Sequence, residues 1–143
     1  MKEHGVIFDE MNFLDLGVTH RRLVIESLGN PEEFTFEDDY QVIYKYPSKG
    51  IEITIKIGHI HTSSVETAIL ITKPYTGSAI ESLELGMSFY RALEICNSEF
   101  ELVQVKKNTR IYKFGNKQQH LQIWKDNDTL SQLKVYDKFL QDS

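Results

Sequence analysis

The chain predicts an α+β domain made of two tandem units, each a short helix followed by antiparallel strands. Three observations carry this reading. Leu14-Asp15-Leu16-Gly17-Val18-Thr19 recurs as Leu83-Glu84-Leu85-Gly86-Met87-Ser88, with the two glycines 69 residues apart. Ile43-Tyr44-Lys45-Tyr46-Pro47-Ser48-Lys49 is echoed by Ile111-Tyr112-Lys113-Phe114-Gly115-Asn116-Lys117 at an offset of 68. Ile51-Glu52-Ile53-Thr54-Ile55-Lys56-Ile57 alternates apolar and polar residues without a break, the mark of a strand with one buried face. Two signatures in the same order at nearly constant spacing indicate a duplication. Residues 1–143 form a single domain, with unit one at about 6–76 and unit two at about 77–140.

In the first unit, Val6-Ile7-Phe8 reads as a short edge strand. Thr19 is an N-cap, its hydroxyl placed to accept a hydrogen bond from the first helical turn. His20 to Leu28 sets Val24 and Leu28 on one face, with Leu23 beside them. Gly29 supplies a left-handed cap and Pro31 forbids continuation. A helix of about nine residues is marginal alone and must be held by packing. Glu32 to Asp39 is an acidic connection, followed by a strand at Gln41–Tyr46, a turn at Pro47-Ser48-Lys49-Gly50, and the isoleucine strand. Residues 58–64 form a loop, Val65 to Thr72 a third strand, and Lys73-Pro74-Tyr75-Thr76-Gly77 ends it.

The second unit restarts the pattern. Ser88 caps a helix with Phe89, Leu93 and Cys96 in one apolar stripe, and Asn97 stands where a left-handed cap would end it. Phe100 to Val105 is strand-like, and its counterpart in the first unit is the weaker Phe34-Thr35-Phe36. Strands at 111–117, 120–124 and 133–136 complete a sheet of six or more.

A net charge of −5 disfavours nucleic acid, whose binding needs a basic face, and suits a basic protein partner. Cys96 is the single cysteine, so neither an intrachain disulfide nor a cysteine zinc site can form. No stretch approaches the ~18 apolar residues of a membrane span. The segment after Met1 is broken by Asp9, Glu10, Asn12 and Asp15, unlike a secretion signal, which predicts a cytoplasmic protein.

The unit Gly-x-[Thr/Ser], short helix, Leu28-Gly29-Asn30-Pro31, then Tyr44-Lys45-Tyr46-Pro47-Ser48-Lys49-Gly50 resembles the helix–hairpin units of the SmpA/OmlA/BamE-like group. Two in tandem resemble the β-lactamase-inhibitor-protein-like fold. The link Ile69-x-Ile71-x-x-Pro74-Tyr75-x-Gly77 fits tandem members as well. The resemblance implies one curved antiparallel sheet with short helices on one face, and a binder, inhibitor or assembly factor. The second unit departs from it, having Cys96-Asn97-Ser98-Glu99 in place of Leu-Gly-x-Pro, and the disulfides of secreted inhibitors cannot form.

Aromatic residues are the first binding candidates: Tyr44 and Tyr46, the matching Tyr112 and Phe114, then Trp124 and Tyr136. If the aliphatic faces meet the helices, these line the opposite face with Thr54, Lys56, His120, Gln122 and Lys134. Trp and Tyr dominate interface energetics, so such a face suits a protein partner. The alternative is that they complete the core, because aromatics favour strands for packing alone. Glu37, Asp38 and Asp39, with Glu32 and Glu33, can steer a basic partner, or form only a solvated loop. His59 and His61 have the spacing of two metal ligands, but two do not make a site. Cys96 reads as a small buried hydrophobe.

These observations predict a non-enzymatic protein-binding domain with no cofactor or metal, an inhibitor or immunity-type protein that occludes its partner through the sheet face. A ligand-binding or enzymatic domain would instead need a closed pocket with convergent polar groups. A structural homo-oligomer would pair through an exposed strand such as Leu133 to Phe139.

Overall fold

The structure, a computed structural model, describes residues 21–56, 65–76, 82–113 and 119–137. Along the chain come α1 (Arg21–Leu28), β1 (Glu33–Asp38), β2 (Gln41–Tyr46), β3 (Ile51–Lys56) and β4 (Val65–Thr72). These are followed by α2 (Phe89–Glu99), β5 (Glu101–Val105), β6 (Thr109–Lys113), β7 (Gln119–Asp126) and β8 (Thr129–Asp137). All eight strands join one antiparallel sheet in the order β1-β2-β3-β4-β8-β7-β6-β5. The α+β class holds. The expected strand at Val6–Phe8, the Thr19 cap and the loop at 58–64 lie outside the described residues.

Local chemistry fixes the ends of the elements. Gly29 sits at φ +87° after α1, and its N–H donates to Ile25 O at 2.8 Å, the expected left-handed cap. Ser88 caps α2, its Oγ accepting from Arg91 N–H at 3.3 Å. Asn97 does not end α2 as expected. The helix runs on to Glu99 and stops at extended Phe100, while the Asn97 Oδ1 accepts a hydrogen bond from Tyr112 at 2.9 Å. The helix closes instead at Phe100, whose N–H donates to Cys96 O at 2.8 Å.

Two turns set the strand registers. Gly50 adopts φ +71° between β2 and β3, where a Cβ would overlap the Thr72 carbonyl oxygen and lie 2.5 Å from Tyr75 N. Only glycine allows that approach. Asn127 (φ 50°) and Asp128 (φ 66°) make a two-residue hairpin between β7 and β8, the left-handed pair such hairpins demand.

The registers align one row of helix-side residues across the whole sheet: Phe34, Tyr44, Ile53, Ile69, Val135, Leu121, Tyr112 and Leu102. Side chains directly opposite in an antiparallel pair share a face, so this row is continuous. Its six middle members are buried or half-buried, while Phe34 and Leu102 at the ends are exposed by 58% and 44%. Val24 of α1 and Phe89, Ala92 and Cys96 of α2 pack against this same face. Burial of Ile53, Ile55 and Ile69 alone is worth about 2 kcal/mol each.

β8 lies between β4 and β7, at the centre of the sheet. Leu133–Asp137 is therefore no exposed edge, contrary to the arrangement expected for a homo-oligomer through that strand. Among the described residues the edges are β1 and β5.

Candidate functional site

The aromatic residues divide between two faces. Tyr44 and Tyr46 stand opposite Ile53 and Ile51 in the β2–β3 register, and Tyr112 stands opposite Leu121. All three therefore lie on the aliphatic, helix-covered face and not across the sheet from it. Tyr46 is 1% exposed and Tyr112 fully buried; Tyr44 is partly buried against the core. The correction has one cause: alternation within a strand gives relative facing only, and the register decides which face of the neighbour it joins. Tyr46 donates to Gly29 O at 2.9 Å. Burial pushes the hydroxyls of Tyr46 and Tyr112 up to about 12. Phe114 lies outside the described residues.

Trp124 and Tyr136 do lie on the face opposite α1 and α2, which is free of helices among the described residues. Across β7 and β8, His120 pairs with Tyr136, Gln122 with Lys134 and Trp124 with Gln132. The His120 and Tyr136 rings stack at 5.6 Å and 19°, and Lys134 Nζ stands 5.2 Å from the Tyr136 ring centroid. Burial lowers the Lys134 pKa, a shift that the Glu37 and Glu52 carboxylates oppose. Trp124, Tyr136, Lys134, Gln122 and Gln132 are all partly exposed, and no helix among the described residues packs over them. The ammonium of Lys134 is thus held within cation–π distance of the Tyr136 ring.

Most of the acidic segment is β1, with Glu37 exposed on the strand and Asp39 exposed in the turn after it; the Asp38 side chain lies outside the described residues. Glu32 is not free. Ser48 donates both its N–H (2.9 Å) and its hydroxyl to this carboxylate, which lowers its pKa. Sequence reasoning missed what lies on the other side of the strand. Phe34 and Phe36, edge-to-face at 5.8 Å and exposed by 58% and 61%, border a groove of about 340 Å³. Ile25, Asn30, Pro31, Val42 and Tyr44 complete its walls. The signal was legible: Phe34 and Phe36 alternate with Glu33, Thr35 and Glu37, a strand pattern with one apolar side.

His120 is buried, and His59 and His61 lie outside the described residues. No cluster of three or more metal-ligating side chains occurs among the described residues. Cys96 is fully buried on α2, and burial pushes its thiol up to about 12. No described helix is long and apolar enough to cross a membrane.

No family model matches the sequence, and no curated protein matches it. Two solved structures are similar in fold. One is an extracellular protein containing a SCP domain from Bacillus anthracis, at 6% identity and a TM-score of 0.57. The likeness covers 88% of this chain but only 45% of that one, so the chain spans less than half of its length. The other is the DUF4309 family protein YjgB from Bacillus subtilis, at 16% identity and a TM-score of 0.56, covering 94% of this chain and 88% of that one. At these identities the likeness concerns the fold alone.

Proposed function

We propose that the chain is a non-enzymatic protein-binding domain that occludes a partner protein through the helix-free face of its sheet, as an inhibitor or immunity-type protein does. The observation that carries this is the placement of Trp124, Tyr136 and Lys134 on the adjacent strands β7 and β8, partly exposed on the face opposite α1 and α2. Large amphipathic rings on a rigid sheet bind with little loss of conformational freedom. Glu37 and Glu52, electrostatically coupled to Lys134, and the net charge of −5 favour a basic partner.

The same reading takes the domain as two tandem helix–strand units of the SmpA/OmlA/BamE-like and β-lactamase-inhibitor-protein-like kind. In support, Phe34 and Leu102, Tyr44 and Tyr112, and Ile53 and Leu121 are each 68 residues apart and stand at mirrored places in the transverse row. It puts the protein in a bacterial cytoplasm. One similar structure is of an extracellular protein, and fractionation of the source cells separates the two locations.

The test is affinity capture from the source cell with the native chain and with a Trp124→Ala/Tyr136→Ala variant, both checked for unchanged melting. The native chain retains a protein partner, and the variant, which lacks two anchors, binds it at least about 30-fold more weakly, the loss expected from even one of them. A partner held equally by both, or a small molecule in place of a protein, overturns the proposal.

A further inference from the structure

The β1 edge of the sheet has a construction that the face across from it does not share. Glu33, Thr35 and Glu37 alternate with Phe34 and Phe36 along an outermost strand that pairs only with β2 among the described residues. The helix side of this strand is apolar. Phe34 and Phe36 are more than half exposed beside the groove formed with Ile25, Pro31 and Tyr44. Its other side and its ends are acidic: residues 32–39 hold five carboxylates and no basic side chain. One of the five, Glu32, is already bound to Ser48, and the other four are not held by it.

We propose that β1 is a docking edge for an extended protein segment in which apolar and basic residues alternate, a ninth strand added to the sheet. Strand addition satisfies the outward backbone groups of β1 by main-chain hydrogen bonds, while specificity comes from alternate side chains. In a strand laid against β1, one set of side chains falls on the helix side and extends the apolar wall at Phe34 and Phe36. The other set falls beside Glu33 and Glu37. Cross-strand neighbours of opposite charge are favourable and like charges are not, so that second set is lysine or arginine. The groove of about 340 Å³ has room for two or three aliphatic side chains. Edge strands are guarded against indiscriminate pairing by charge, proline or bulges. The charges of β1 are all acidic and its one register shift falls at its end, between Phe36 and Asp38, so the strand repels another acidic edge and leaves Glu33 to Phe36 regular for a basic one.

This inference does not rest on the proposal for the helix-free face, and its test uses neither Trp124 nor Tyr136. The full chain is titrated with a fluorescent nine-residue peptide of alternating valine and lysine. Controls are a peptide of the same composition in two blocks and an alternating valine–glutamate peptide. The alternating basic peptide is expected to bind at about 100 µM, typical of a short unstructured segment, and to slow amide exchange at residues 33–37. Phe34→Ser/Phe36→Ser and Glu33→Lys/Glu37→Lys are each expected to weaken it at least tenfold. Both pairs change exposed side chains, and a melting curve confirms that the variants fold. Equal binding of the block peptide reduces the edge to a generic acidic surface and overturns the proposal. So does binding without protection of β1, or no binding at millimolar peptide. Dimerisation of the free chain that Phe34→Ser/Phe36→Ser abolishes assigns the edge to a second copy, and also overturns it.

Discussion

The hydroxyl of Tyr46 donates a 2.9 Å hydrogen bond to the backbone carbonyl of Gly29, fastening the end of α1 to the strand beneath it. Tyr112 fastens α2 in a comparable way, through the side-chain oxygen of Asn97 at 2.9 Å. Each bond links a helix to a strand with a side chain that is otherwise core. Tyr46→Phe keeps the ring and leaves the carbonyl without this donor, so it should cost about 1 kcal/mol, or about 3 °C in melting temperature. Thermal unfolding of the variant beside the native chain checks this.

Alkaline stability follows from the same residues. Tyr46, Tyr112 and Cys96 are all pushed up to about 12 by burial, from ordinary values of 10.0 for the tyrosines and 9.0 for the thiol. The unfolded chain therefore releases these protons first, and binds fewer of them than the folded chain above pH 9. Stability is full below that pH and falls as pH rises toward 12, by at most about 1.4 kcal/mol per pH unit for each group. Urea midpoints at pH 8, 9, 10 and 11 should fall progressively, and the fall should be shallower in Tyr112→Phe.

Cys96 is expected to be inert in the native state. It is fully buried, and its thiol stays protonated at neutral pH, so little thiolate is available to react. Modification by a disulfide reagent at pH 8 should be slow in buffer and complete within minutes in denaturant. Rapid modification of the native protein would contradict the packing of α2.

Gly50 should tolerate no substitution. Its φ of +71° disfavours every L-residue, and the first side-chain atom would meet the Thr72 carbonyl, which accepts from Tyr75 N–H at 2.9 Å, while Thr72 N–H donates to Gly50 O at 2.9 Å. Gly50→Ala is predicted to cost about 3 kcal/mol or more. Gly29→Ala is the useful contrast: it shares the positive φ but has nothing within 4 Å of the new atom, and should cost about 1 kcal/mol. Denaturant midpoints for the two variants separate strain from collision.

Much of the architecture was legible because it rests on local chemistry. The unbroken isoleucine alternation gave β3, Gly29 gave the end of α1, and Ser88 gave the start of α2. Facing was not legible. Tyr44, Tyr46 and Tyr112 alternate as expected, yet the turn at 47–50 and the pairing of β6 with β7 put them with the isoleucines instead of against them. Neighbour relations between distant strands are hidden for the same reason, so the exposed strand that a homo-oligomer would need at Leu133 to Phe139 is instead central. At the candidate sites, Trp124 and Tyr136 were found by residue type and by their own strand neighbours. Phe34 and Phe36 were read as a weak strand inside a charged segment, and only the placement of α1 shows the groove beside them.

The central position of β8 has a consequence for the order in which the chain is made. β4 exposes a full edge carrying Ile69 and Ile71 until its partner exists, and Thr129 is synthesised 57 residues after Thr72. At roughly 5–20 residues per second, that edge waits about 3–11 s on the ribosome. A sheet of the first four strands would stay open along β4 until β8 pairs with it. The interval during which this protein is most exposed to misassociation is set by its connectivity, and a helper that shields a bare strand edge would act there.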